Sequence, residues 1–177
     1  MPVAIEANPA PALAHALAGL AVSVITVSDR SARGLREDAT GPLLVAALEG
    51  AGADCDYAVV ADDRSVIELE FAAAIAAGAR AVITTGGTGI GPRDVTPEAT
   101  AALIVQDLPG IPELLRQRDV PANPLVALSR ARAGISAAPQ RTLLINLPGS
   151  VAAVKSALAV LPDIIAHACT QIDGGDH

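Results

Sequence analysis

From Ala21 onward the chain alternates short apolar runs with helix-length amphipathic segments. Ala21–Val27 is a continuous run rich in β-branched residues, as suits a strand buried on both faces. Residues 39–52 predict a helix with Leu43, Leu44, Ala47 and Leu48 on one face, closing at a glycine. Residues 54–61 read as a second strand, 65–77 as a second helix, 80–85 as a third strand and 97–105 as a third helix. Prolines at 109, 112, 121, 124 and 139 then break the rhythm. That region predicts a short helix at 111–117, a helical turn at Pro124–Leu128 and an extended piece at 131–136. Residues 142–147 form the next core strand. Residues 150–168 predict one long helix despite Pro162, with Val151, Val154, Leu158, Leu161 and Ile165 on one face. Residues 1–20, rich in Pro and Ala, read as a flexible leader, 21–168 as the domain and 169–177 as a frayed tail.

Strand–helix alternation at these lengths predicts an α/β fold, a three-layer α/β/α arrangement with a mostly parallel central sheet. In such sheets ligands sit beyond the carboxyl ends of the strands. The polar stretches fall there: Ser28-Asp29-Arg30, Asp62-Asp63, the loop from Thr85 to Glu98, and Asn146 to Ser150. They predict a single shared cleft.

Composition narrows the partners. At 177 residues with 51% hydrophobic but 1% aromatic content, the core must be Ala, Val, Leu and Ile. A formal charge of −7 leaves no basic stripe for nucleic acid. Asp29, Arg80 and Asp163 interrupt every candidate membrane span, and no basic n-region opens the chain. Cys55 and Cys169 show no metal-ligand spacing and read as buried small hydrophobes. A cytoplasmic location is expected.

The stretch Thr85-Gly86-Gly87-Thr88-Gly89-Ile90-Gly91-Pro92-Arg93-Asp94 carries the chemistry. A strand runs into four glycines and then into a helix start, with Thr96 read as N-cap, Pro97 as first helical residue and Glu98 favouring the positive helix end. Bare backbone N–H groups beside a helix N-terminus can cradle phosphate. The loop lacks the Gly-Lys-Ser/Thr ending of a P-loop and does not fit a dinucleotide fingerprint. Lys155 is the only lysine and lies far downstream, so no lysine of this loop can reach a β- or γ-phosphate.

Taken in order, Ser28-Asp29-Arg30, Asp62, Thr85 to Gly89, Arg93-Asp94-Val95-Thr96-Pro97-Glu98-Ala99-Thr100, Leu128-Ser129-Arg130 and Asn146-Leu147-Pro148-Gly149 resemble the molybdopterin adenylyltransferases of molybdenum-cofactor biosynthesis. The resemblance covers roughly residues 21–168. It implies the molybdopterin-binding fold, a homotrimer, and the reaction of ATP with molybdopterin to give adenylyl-molybdopterin and pyrophosphate with Mg2+. Other enzymes of the same pathway are implied partners. Asp62 and Asp94 become the expected catalytic and metal-holding carboxylates. Ser28, Asp29, Thr85, Gly86, Gly87, Thr88 and Gly89 become phosphate or substrate contacts. Ser129 and Arg130 would anchor the pterin's terminal phosphate, and Pro148 and Gly149 would shape the wall.

Structural roles compete for several of these residues. Asp62 or Asp63 could cap the helix near Ser65, Asp94 could pair with Arg93, Asp29 with Arg30, and Arg130 could be a solvated charge. Glu98 reads as dipole support, His15 as a surface residue and His167 as core or interface. Within the resembled family, pterin binders without adenylyl transfer form one alternative, and some lack the carboxylate at the Asp62 position. A non-catalytic trimeric scaffold that hands on molybdopterin is another.

Overall fold

In the computed structural model, which describes residues 16–175, six strands form one sheet in the order β2-β1-β3-β6-β5-β4. The strands are β1 (Ala21–Val27), β2 (Asp54–Val60), β3 (Ala81–Thr85), β4 (Ile104–Asp107), β5 (Ala133–Ser136) and β6 (Leu143–Leu147). The first four in sheet order run parallel, with Val22 opposite Ala81 and Ala81 opposite Leu143. β5 and β4 are antiparallel additions at one edge. The mostly parallel sheet expected from the alternation is therefore present.

Period-two geometry divides each central strand between two cores. Val22, Val24, Ala81, Ile83, Leu143 and Ile145 pack in one cluster with α2 (Gly41–Gly50), α6 (Val151–Leu158) and α7 (Leu161–Ile172). Their neighbours Ile25, Val27, Val82 and Leu144 pack in the other with Ile67 and Phe71 of α3 (Arg64–Ala76) and Ala99 of α4 (Thr96–Ala101). Both faces are covered, so β3 and β6 are buried at every position. Phe71, the single phenylalanine, is fully buried.

Several elements differ from the sequence expectation. The helix placed at 97–105 ends at Ala101 and the chain re-enters the sheet as β4. There the β-branched Ile104 and Val105 meet an available partner in β5. A Cβ on Gly134 would stand 2.6 Å from Ile104 Cγ2 and 2.7 Å from the Gln106 carbonyl, so this pairing needs the glycine. The long helix at 150–168 is two helices bent by 56°. Pro162 cannot donate to the preceding turn, so it opens a new helix near its N-terminus instead of continuing the old one.

That second helix reaches Ile172, past the boundary at 168. Cys169 is buried, and the Arg80 guanidinium bonds its carbonyl at 3.2 Å and the Asp173 carboxylate at 2.7 Å. A four-residue helix, α1 (Asp29–Ala32), also follows β1 unannounced. α5 (Gly110–Asp119) and the 3-10 turn Pro124–Leu128 lie where the proline-rich region implied. Of the leader, residues 16–20 form a turn whose Leu17 is fully buried and donates its amide to Ala51. The expectations for residues 1–15, His15 included, lie outside the described residues. His167 is exposed and sits 2.9 Å from Gln171, so it is not core. No single helix among the described residues is long and apolar enough to cross a membrane.

One buried polar residue ties the site-bearing elements together. Asn146, fully buried on β6, donates to the Thr84 and Thr100 hydroxyls at 2.9 and 2.8 Å and accepts the Arg132 amide at 3.1 Å. It thus joins β6, β3, α4 and the approach to β5. Asn146→Ala strands these partners and leaves a cavity. The expected loss is roughly 2–4 kcal/mol in chemical denaturation; a loss below about 1 kcal/mol would refute the tie.

Candidate active site at the carboxyl edge of the sheet

Parallel strands ending at one edge bring their following loops together. Ser28, Asp62, Thr85, Gly86, Gly87, Asp94 and Gly149 line one cleft of about 430 Å³. The expectation of a single shared cleft holds for these seven residues.

The glycines are required by the backbone. Gly86 and Gly87 have φ of +103° and +62°, a region that residues with a Cβ rarely adopt. A Cβ on Gly86 would strike the Val27 carbonyl oxygen, and one on Gly149 would lie 3.1 Å from the Gly86 Cα. A Cβ on Gly87 would collide with the Thr96 hydroxyl and stand 3.1 Å from an Asp62 carboxylate oxygen. The loop is therefore pressed between the ends of β1 and β6 and the start of α4.

Its amides divide in use. Gly86 N–H donates to Leu147 O at 3.1 Å and Gly91 N–H to the Asp94 carboxylate at 2.8 Å. The amides of Gly87, Thr88 and Gly89 make no hydrogen bond within the described residues. With the Ile90 amide, likewise unbonded, this run offers unused donors to an anion. Thr96 proves not to be the N-cap. It is the first helical residue, and its hydroxyl donates to Gly86 O at 3.0 Å, locking loop to helix.

The carboxylates are arranged in a chain. Asp62 accepts the Asp29 amide at 2.7 Å, and the Asp62 amide donates to the Asp29 carboxylate at 3.2 Å. Arg93, not Arg30, pairs with Asp29, through Nη2 at 2.9 Å and Nε at 3.1 Å. This guanidinium holds the Asp29 carboxyl below its ordinary pKa. Burial pushes the Asp62 carboxyl above its ordinary value; the Asp29 amide opposes the rise, and the negative charges of Asp29 and Asp94 add to it. The capping alternative falls to Asp63, which accepts the Ser65 and Val66 amides at 2.9 and 3.2 Å and leaves Asp62 to the cleft. Ser28 caps α1 by accepting the Ser31 amide at 3.2 Å.

Six expected contacts, Asp29, Thr88, Gly89, Ser129, Arg130 and Pro148, do not line this cleft. Ser129 and Arg130 line a separate recess of about 560 Å³ with Glu98, Arg116 and Arg132. The Arg130 side chain is engaged with the Glu98 carboxylate and with the carbonyls of Gly89, at 2.7 Å, and Asp94, at 2.6 Å. The side chain is exposed but paired within the protein. Thr88 is buried and its carbonyl accepts the Arg130 amide at 2.8 Å. Pro148 turns its carbonyl to the Thr85 hydroxyl at 3.1 Å.

Sequence reasoning missed the opposite wall. Thr26, Arg36, Glu37, Asp38 and Thr40 also line the cleft, with Ser150 of the expected Asn146–Ser150 stretch. Asp38 accepts from the Thr26 hydroxyl at 2.6 Å, the Tyr57 hydroxyl, and the Thr40 and Gly41 amides at 2.9 and 3.2 Å. Burial alone would raise its pKa, but these donors outweigh burial and lower it. Tyr57 is pushed up to about 12, by burial and then by Asp38. The run Asp38-Ala39-Thr40-Gly41-Pro42 was the available signal, an Asx-type turn opening a helix.

Residues 23–167 match the family model described as a probable molybdopterin binding domain. A molybdenum cofactor biosynthesis bifunctional protein of Synechococcus elongatus is 42% identical over 92% of this chain, which spans 50% of that protein. A molybdopterin adenylyltransferase of Pyrococcus furiosus is 39% identical, covering 81% of this chain and 86% of that one. Among solved structures, the tungsten cofactor synthesizing protein MoaB of Pyrococcus furiosus superposes with a TM-score of 0.81 at 36% identity, over 86% of this chain and 96% of that one. The Mog protein of Mycobacterium ulcerans gives 0.81 at 36%, over 87% and 99%.

The raised Asp62 pKa has a consequence for stability. A carboxyl whose folded pKa exceeds its unfolded value costs nothing when protonated in both states. The cost grows as pH rises through the ordinary value and is complete above the raised one. Asp62→Asn should therefore raise the melting temperature at neutral pH, and the gain should vanish as pH falls below the ordinary carboxylate range. A variant less stable than the parent at pH 7 would contradict this placement of Asp62.

Proposed function

Because the chain belongs to the probable molybdopterin-binding domain family, we propose that it transfers the adenylyl group of ATP to molybdopterin, releasing pyrophosphate. The observation that carries the reading is the meeting of Asp62 and Asp94 beside the glycine loop in one cleft. The adenylyltransferase names of its relatives agree with it.

In this reaction a terminal phosphate oxygen of molybdopterin attacks the α-phosphorus of ATP. A new P–O–P bond forms, the α–β bridge breaks, and the electron pair leaves with pyrophosphate. The protein's task is to align the two phosphates and to tolerate their charge. Gly87 contributes an unpaired amide, and Gly86 and Gly149 let the backbone come close. Ser129 belongs to the neighbouring recess, where Arg116 and Arg132 supply positive charge for a terminal phosphate.

The main cleft carries Glu37, Asp38, Asp62 and Asp94 against one arginine, Arg36, and would repel a polyphosphate by itself. The carboxylate oxygens of Asp62 and Asp94 suit Mg2+, and among the described residues no group of three or more His, Cys, Asp or Glu is placed to hold a metal ion by itself. Mg2+ takes one or two carboxylates and completes its shell with water and substrate phosphates. Asp62 and Asp94 would hold it, and when bound it supplies charge neutralisation at the transferring phosphoryl group. Two free thiols and an ATP-dependent reaction accord with a reducing cytoplasm. The exposed apolar recess around Ile75, Leu103, Val105 and Pro139 is a candidate face for assembly into a homotrimer.

Asp94→Asn retains an oxygen for the Gly91 amide but removes the charge. Its kcat for pyrophosphate release should fall on the order of 100-fold while molybdopterin binding persists, and chelation should silence the unsubstituted chain. Undiminished turnover in the variant would remove Asp94 from the chemistry. Intact molybdopterin binding without pyrophosphate from the unsubstituted chain would instead establish the non-catalytic scaffold.

A further inference from the structure

Arg130 closes the neck of the loop that carries Asp94. Its Nε donates to the Gly89 carbonyl at 2.7 Å, where the loop leaves the glycine run. Its Nη2 donates to the Asp94 carbonyl at 2.6 Å, where the chain enters α4. Nη1 meets one Glu98 carboxylate oxygen, and Nη2 reaches the other at 3.4 Å. The backbone repeats the attachment, with Arg130 N–H on Thr88 O at 2.8 Å.

A guanidinium has five N–H donors in a fixed planar fork. Four are used in these contacts, so one N–H on Nη1 remains for any ligand in the recess. The charge is also matched, because the Arg130 hydrogen bond is the largest influence holding the Glu98 carboxyl below its ordinary value. From Gly89 to Asp94 the chain makes a six-residue excursion with Ile90 exposed at its tip. The Asp94 carboxylate reaches back to the Gly91 amide at 2.8 Å. Arg93 also ties the excursion to Asp29, and the Asp94 amide closes a turn on Gly91 O at 3.0 Å, but only the Arg130 buckle joins its two ends.

We propose that Arg130 is a positioning residue for Asp94, acting through the backbone of residues 89–94, and not a ligand for the pterin phosphate. The proposal rests on the adenylyl-transfer reading. It also assigns Glu98 a task beyond dipole support, the orientation of Arg130. Lysine at 130 keeps the charge but has no fork to span both carbonyls and Glu98.

Arg130→Lys, assayed with ATP, Mg2+ and molybdopterin, separates the two roles. Loss of positioning should lower kcat roughly 10- to 100-fold, leaving the Kd for molybdopterin within about twofold. Glu98→Gln should shift kcat in the same direction by less. Hydrogen exchange gives a reading independent of turnover: the Gly91 amide should lose protection in Arg130→Lys while amides of the central strands keep theirs. A kcat within about twofold of the unsubstituted chain, or a molybdopterin Kd weakened about tenfold or more, overturns the proposal. If the unsubstituted chain makes no pyrophosphate, the adenylyl-transfer reading fails instead, and Gly91 exchange alone decides whether Arg130 holds the loop.

Discussion

The site depends on how closely three stretches of backbone approach one another. Gly86 lies under the Val27 carbonyl and against Gly149, at a φ of +103°, where any Cβ would collide. That contact places the end of β1, the glycine loop and the turn after β6 within one cleft. The Gly86 amide on Leu147 O and the Thr96 hydroxyl on Gly86 O fasten it on both sides. Without the approach, the strand ends would splay, and the carboxylates of two separate loops would not share a cavity.

Electrostatics then acts on this frame. Asp29, Asp62 and Asp94 follow the ends of β1, β2 and β3, and the Arg93 guanidinium pairs with the outermost, Asp29. Asp62 bears the burial cost, with Asp94 near enough to raise its pKa further. Such a cleft is poor at holding anions unaided. Positive charge is kept next door, where Arg116, Arg130 and Arg132 surround Ser129. The glycine loop stands between the two regions. Arg130 grips its outer side through the Gly89 and Asp94 carbonyls, and the carboxylates line its inner side.

Local rules and tertiary contacts conflict in only a few places, and each has an identifiable winner. Residues 102–107 have helical alanine before them and β-branched residues within, and an open strand edge at β5 draws them into the sheet. Pro162 sits in a run of good helix formers, and its missing N–H divides that run into two helices at 56°. Asp62 and Asp63 both suit a helix cap, and the extended geometry at Asp63 takes the role.

What the sequence determined by itself follows from short-range physics. The strand–helix alternation, the buried parallel core, the turn at Pro124–Leu128 and the chemistry of the glycine loop all rest on periodicity and backbone permission, which neighbouring residues decide. The gathering of Ser28, Asp62, Gly86, Asp94 and Gly149 was also legible, because parallel strands end on the same side. The tertiary structure alone decided which partners the charges take. Arg93 reaches Asp29 across 64 positions, Arg130 reaches Gly89 across 41, and Asp38 comes to face the cleft by way of Thr26 and Tyr57. A long, flexible side chain can satisfy its hydrogen bonds in many places, and only the packed chain leaves one of them within reach.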